Sequence, residues 1–144
     1  MRTRELTVEE LMSTALVTAK ADDVIADVDL EMKMADIRHI PVVDDRGRMV
    51  GIVSQRDVLR ARVRAGTTKA IPIRSLMTRS VRTIAPDALA LEAVDILLDH
   101  KIGCVPVVTE DGRLVGIVTE TDFLRVARDG LLGRSPGRDA RRAG

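Results

Sequence analysis

Two short segments carry most of the side chains in this 144-residue chain that could do chemistry: Gly51-Ile52-Val53-Ser54-Gln55-Arg56-Asp57 and Gly116-Ile117-Val118-Thr119-Glu120-Thr121-Asp122. Each sets a hydroxyl (Ser54, Thr119) three residues before a carboxylate (Asp57, Asp122), directly after an apolar run. At a helix start this is the spacing of a capping box, with Asp where Glu is usual. Such a cap stabilises a helix by about 1 kcal/mol with no ligand present. The same groups could also serve a ligand, because an ionised carboxylate accepts hydrogen bonds and the free amides of a helix start receive an anion. The two readings can coexist, with the cap released when a ligand enters.

Catalysis would ask for more: a nucleophile with an oriented base, or paired carboxylates in a cleft. Ser54 and Thr119 have no histidine partner visible in the sequence, and there is neither a P-loop nor a dinucleotide fingerprint. The chain is therefore read as a non-enzyme. Arg38 and His39 precede a strand-like Ile40-Pro41-Val42-Val43 run, and Lys20 lies upstream. His39 and His100 are the only histidines and have no Cys or Glu cluster at metal-site spacing around them, so no metal is expected. Cys104 is the single cysteine. It excludes an internal disulfide and reads as a buried structural thiol.

The elements that position these groups come in duplicate. Residues 11–60 align with 76–125 at a constant offset of 65, with seventeen of fifty positions identical. Each copy reads as β-α-β-β-α, an α/β (α+β) fold of two repeats. Short strands are expected near Leu16–Thr18 and Val81–Thr83. Helices follow at Asp22–Ala35 and Asp87–His100, with Asp22 and Asp87 as caps or first-turn carboxylates. Hairpins are expected over His39–Asp44 with Arg48–Val53, and over Cys104–Thr109 with Arg113–Val118, turning at Gly47 and Gly112. Last helices begin near Gln55 and Glu120. The domain reading is a first repeat at 6–65, a linker at 66–75, a second repeat at 76–130 and a disordered basic tail at 131–144. The copies differ where charge matters: Arg38, His39 and Lys20 are matched by Gly103, Cys104 and Ala85.

Composition narrows the function classes. Phe123 is the only aromatic residue, which argues against a stacking platform for single-stranded nucleic acid. Net charge is +1, and residues 133–144 hold four Arg against one Asp. Without them the body is slightly acidic, unlike a duplex-binding surface. No apolar run approaches the roughly 18 residues of a membrane span, and no apolar stretch follows the basic start. The expectation is a cytoplasmic protein with neither membrane nor nucleic acid as partner.

Leu11-Met12 and Leu76-Met77, the Ile40-Pro41-Val42-Val43-Asp44 and Val105-Pro106-Val107-Val108 strands, and the doubled Gly-Ile-Val-Ser/Thr-x-x-Asp segments together resemble a tandem pair of CBS domains. CBS domains are named after cystathionine β-synthase, and a tandem pair of them, a Bateman module, is also found as small stand-alone bacterial proteins. The resemblance covers about residues 6–130. It implies two repeats packed with pseudo-twofold symmetry and clefts between them that take AMP, ADP, ATP, NAD-type cofactors or S-adenosylmethionine. In that pattern Asp57 and Asp122 hold ribose hydroxyls. Ser54 and Thr119 assist, and Arg38 and His39 reach phosphate, near which Lys20 could add a second positive group. Thr18 and Ile40, with Thr83 and Val105 in the copy, wall an adenine slot in that pattern, although every one could be core and packing suits most of them better. Because the basic groups occur in one repeat only, one good polyphosphate site is expected. The implied function is ligand sensing, signalled through a homodimer or a regulated partner protein. The alternative is a ligand-free protein-interaction or stress-related dimer. Homodimerisation is a separate expectation, with its contact on the last helices and the outer faces of 24–35 and 89–101, filled in part by Met32, Met34 and Leu97.

Overall fold

The computed structural model describes residues 5–66 and 70–134. It has five helices and four strands in the order α1 (Val8–Leu11), α2 (Ile25–Ala35), β1 (His39–Val43), β2 (Met49–Ser54), α3 (Gln55–Ala65), α4 (Ala90–His100), β3 (Cys104–Val108), β4 (Leu114–Thr119) and α5 (Glu120–Leu131), with a single 3-10 turn at Ile73–Ser75 before α4. This is the mixed α/β fold of two related repeats that the sequence predicts. The basic tail, apart from residues 131–134, lies outside the described residues.

The compact units do not follow the repeats. Residues 17–81 form a continuous unit, and residues up to 16 join those from 82 onward in a discontinuous one. In the continuous unit β1 and β2 pair antiparallel, with His39 opposite Ser54 and Val42 opposite Gly51. Single-residue bridges extend the hairpin on both sides: Ala19 runs parallel to Val42, and Thr78 runs antiparallel to Ile52. In the discontinuous unit β3 and β4 pair the same way, with Cys104 opposite Thr119 and Val107 opposite Gly116. There the flanking bridges are Ile84 to Val107 and Ser13 to Ile117. The opening segment of each repeat thus packs on the hairpin of the other repeat.

Two glycines make room for this exchange. A Cβ on Gly51 would lie 2.9 Å from the Thr78 carbonyl oxygen and from Met77 Sδ, and one on Gly116 would lie 2.4 Å from Met12 Sδ. Close approach of a crossing segment therefore accounts for both residues.

Each unit has its own core. Ile25, Val28, Met32, Ile40, Val42, Val53 and Ile73 are buried in the continuous unit. Val8, Ala93, Leu97, Val105, Val107 and Val118 are buried in the other. Valine and isoleucine dominate because their branched side chains suit a covered, pleated surface. Ile73 falls in the segment read as linker, yet it is fully buried, and Ile25 N donates to Ile71 O nearby. Burying such a side chain contributes about 2 kcal/mol. Met32 and Leu97 belong to the cores, so neither is free for an outer contact as expected from sequence.

Two kinds of local expectation need correction. The strands expected at 16–18 and 81–83 shrink to single bridges at Ala19 and Ile84. Helices α2 and α4 start three residues later than expected, after extended Val24 and Leu89, neither of which makes a side-chain cap. The reason in the first repeat is competition. Asp23 Oδ2 accepts from Lys20 N at 2.8 Å in a turn, and Asp22 pairs with Arg74. Carboxylates that close turns are lost to the helix.

Candidate functional site

In the continuous unit, Ser54 ends β2 and caps α3. Ser54 N donates to Asp57 Oδ2 at 2.8 Å, and Asp57 N donates to Ser54 Oγ at 3.1 Å. The apolar β2 run stops where the helix begins, so the fold fixes both groups at the open end of the hairpin. Strand pairing brings His39 opposite Ser54, and Gln55 N donates to Arg38 O at 2.8 Å. Arg38, His39, Ser54 and Asp57 therefore meet at one end of the unit. Arg38 is exposed, and the other three are half-buried. Burial lowers the His39 pKa from its ordinary 6.5; the Asp57 charge opposes the shift and Arg38 adds to it. Asp57 Oδ1 has no hydrogen-bond or ion-pair partner among the described residues.

Lys20 is not part of this cluster. Its Nζ donates to Asp44 O at 2.7 Å and lies 3.7 Å from Asp45 Oδ1, at the turn end of the hairpin. At about 3.3 Å per residue, the length of β1 separates the two ends by roughly 15 Å. Thr18 is exposed, one residue before the Ala19 bridge. Ile40 is fully buried in the core, so its side chain packs and does not line an open slot.

The equivalent end of the discontinuous unit is closed. Thr119 N donates to Asp122 Oδ2 at 2.8 Å, and the Thr119 hydroxyl lies 3.3 Å from the same oxygen. Arg125 approaches Asp122 Oδ1 at 3.6 Å. Both carboxylate oxygens are engaged, and Asp122 is only 4 % exposed. Burial raises its pKa, opposed by the Thr119 hydrogen bonds and Arg125. Opposite Thr119 stands Cys104, also buried, whose thiol is pushed up to about 11 by desolvation. Thr83 is half-buried beside the Ile84 bridge. Val105 is fully buried in the core.

Sequence reading missed two groups. Arg125 matches Arg60 at the repeat offset, yet among the described residues only Arg125 meets the neighbouring carboxylate. Asp29 is buried on α2 and paired with Arg62 of α3, with Lys33 at 3.1 Å. The i,i+4 spacing of Asp29 and Lys33 was the available signal; the partner on α3 was not visible in sequence. Among the described residues no group of His, Cys, Asp and Glu could hold a metal ion. No helix among them is long and apolar enough to cross a membrane.

Known proteins share this architecture. The chain is similar to the AcuB protein of Vibrio cholerae, with 36% identity, TM-score 0.82, and coverage of 90% of this chain and 95% of that one. It is similar to the CBS domain pair of protein MJ0100, solved with 5'-methylthioadenosine and S-adenosyl-L-methionine (28% identity, TM-score 0.79, 88% and 99% covered). It is also similar to CBSX2 of Arabidopsis thaliana, solved with AMP (27% identity, TM-score 0.78, 88% and 98% covered). Among curated relatives, the chain spans 73% of an Acidianus ambivalens protein, at 29% identity over 85% of this chain. It spans only 23% of an inosine-5'-monophosphate dehydrogenase of Halobacterium salinarum, at 34% identity over 83% of this chain. The CBS domain model matches residues 8–64 and again 73–129. The doubled hairpin and capped helix, the two matched segments and these neighbours lead to one conclusion: the chain belongs to the CBS-domain family, as a tandem pair whose role is regulatory and not catalytic.

Proposed function

We propose that this chain is a nucleotide-responsive regulatory module whose adenosine-containing ligand binds at the open end of the β1–β2 hairpin. The observation that carries this reading is the state of Asp57. Its Oδ2 caps α3, while Oδ1 is unengaged among the described residues and sits in the cluster formed by Ser54, His39 and Arg38. One oxygen can then accept from a ribose hydroxyl while the cap stays intact. The exposed Arg38 guanidinium offers a planar fork to a phosphate. The MJ0100 pair and CBSX2, solved with adenosine-containing molecules, support the ligand class: AMP, ADP, ATP, NAD or S-adenosylmethionine. Two copies pair, and a partner protein reads the change. That requires the ligand to bind one conformational state more tightly than the other.

The test is calorimetric titration of ligand-free protein with AMP, ADP, ATP, NAD, NADH and S-adenosylmethionine. A saturable isotherm that identifies one effector supports the reading. Flat traces across the panel on folded protein overturn it. A second reading, a ligand-free protein-interaction dimer, is favoured by one observation: both carboxylates already cap helices, and Asp122 is fully engaged. A stable dimer that captures a specific protein without responding to nucleotide would support that alternative.

A further inference from the structure

His39 stands where three elements meet. It opens β1 opposite Ser54 at the end of β2, and Ser54 exchanges hydrogen bonds with Asp57 in the first turn of α3. Arg38 precedes it, its carbonyl oxygen held by Gln55 N. Two charges act on the half-buried imidazole, Asp57 from α3 and Arg38 from its own lead-in, and no other does among the described residues. β2 brings only the uncharged Ser54. On α2, which packs on β1, Lys33 is engaged with Asp29, and Asp29 with Arg62 of α3. In the segment bridged to β2 at Thr78, Arg74 is engaged with Asp22. Arg56 and Arg60 of α3 are exposed.

Burial takes water from the charged ring and holds its pKa below 6.5, against the pull of Asp57. At neutral pH the cluster therefore sums to zero: Arg38 offsets Asp57, and His39 is uncharged. A phosphate monoester carries close to two negative charges at pH 7. Asp57, held in the α3 cap, repels it, and Arg38 offsets only part of the total. His39 is the group in the cluster that can gain a positive charge near that pH.

We propose that an adenosine phosphate binds at this end together with one proton that His39 takes from solvent, so that the module reads pH along with nucleotide. This rests on the proposed ligand site and narrows its ligand to the phosphate-bearing members of the class. The phosphate adds the second negative charge that Asp57 alone lacks, and the pair favours the imidazolium over the desolvation opposing it. The charged ring in turn offsets the repulsion between phosphate and Asp57. Coupling is reciprocal: phosphate raises proton affinity by the factor by which the proton raises phosphate affinity. Affinity then rises as pH falls from the bound-state pKa of His39 to its lower free value, and levels off below that. A sulfonium ligand gains nothing here, because its positive charge opposes Arg38 and the proton alike. The equivalent end of the other unit has Gly103 and Cys104 at these positions, and neither side chain can become a cation.

Calorimetry of the full chain tests this with AMP, adenosine and S-adenosylmethionine, in buffers of low and high ionisation enthalpy at about pH 7.2, where the phosphate is mostly dianionic. AMP should take up roughly half a proton per ligand, and adenosine none. In the proton NMR spectrum, the imidazole resonance missing from His39→Gln should titrate about one unit or more higher when AMP saturates the protein. His39→Gln, checked for helicity by circular dichroism, should lose the uptake and bind AMP about three- to tenfold more weakly. The buffer measurement needs no variant. AMP binding with no buffer dependence, or with an unmoved imidazole titration, overturns the proton coupling and leaves the ligand site standing. Binding of adenosine or S-adenosylmethionine with AMP silent overturns the phosphate and its proton together. Flat traces with all three overturn the site itself and the coupling with it.

Discussion

Asp57 and Asp122 occupy the same place in the same motif and are held differently. Asp57 has one oxygen in the α3 cap and the other unengaged among the described residues, with His39 and Arg38 as neighbours. Asp122 has Thr119 on one oxygen and Arg125 on the other, and it is almost fully buried. Across the strand from each carboxylate's capping partner stands the residue that sets the tone: His39 in one unit and buried Cys104 in the other. A repeated motif therefore fixes the cap, while the surroundings of its carboxylate differ between the units, Arg125 meeting Asp122 where Arg60 does not meet Asp57 among the described residues.

The largest effect should come from the carboxylates themselves. Asp57→Asn keeps an oxygen for the α3 cap and removes the charge. It should weaken the identified nucleotide roughly 10- to 100-fold, as loss of a charge-assisted hydrogen bond does. Asp122→Asn should leave affinity within about threefold, because that carboxylate is already satisfied inside the protein. Equal losses in the two variants would erase the distinction between the ends.

The crossing segments separate the units next. Gly51→Ala should destabilise by about 2–3 kcal/mol, since the new methyl meets the Thr78 carbonyl oxygen, which cannot swing aside. Gly116→Ala should cost about 1 kcal/mol, because a methionine side chain can rearrange. Urea unfolding of both variants measures the difference, and the reverse order would contradict it. Asp29→Asn should cost about 1–2 kcal/mol by the same measurement. Its buried carboxylate pairs with Arg62 and Lys33, both about half exposed, so the loss stays below that of a fully buried pair. The aligned position, Val94, has no ion pair to lose.

The smallest effects are the limbs of the pH–stability profile. His39 has its folded-state pKa lowered below 6.5. The unfolded chain then binds more protons in that window, and stability is lost as pH falls through it. Cys104 is raised from 9.0 to about 11. The folded state keeps the thiol proton longer, so stability is lost as pH rises between those values. His39→Gln should flatten only the acid limb and Cys104→Ala only the alkaline one, each read by thermal melts across pH. A flattening on the wrong side would show that neither group behaves as its surroundings dictate.

The hairpins were legible nearly to the residue, because valine-rich runs around Gly47 and Gly112 leave the chain few alternatives. Those two glycines do take positive φ, +78° and +86°. The caps at Ser54 and Thr119 were legible for the same local reason. The starts of α2 and α4 were not: Asp22 looks like a helix cap until Arg74 claims it, and the next carboxylate, Asp23, closes a turn on Lys20. The exchange of opening segments left no trace in the pattern either. Leu11-Met12 and Leu76-Met77 are identical, so nothing local says which hairpin each joins. The contrast between Asp57 and Asp122 was half legible. The missing basic groups at Gly103 and Cys104 predicted a single good site, but the closure of Asp122 by Arg125 depends on packing that Arg60, the same residue in the other repeat, does not share.

The most direct test of that contrast is the stoichiometry of the wild-type isotherm with the nucleotide the panel identifies. One ligand per chain, lost in Asp57→Asn and retained in Asp122→Asn, is the predicted result. Two equivalent ligands per chain, or a single one lost through Asp122→Asn, would contradict it.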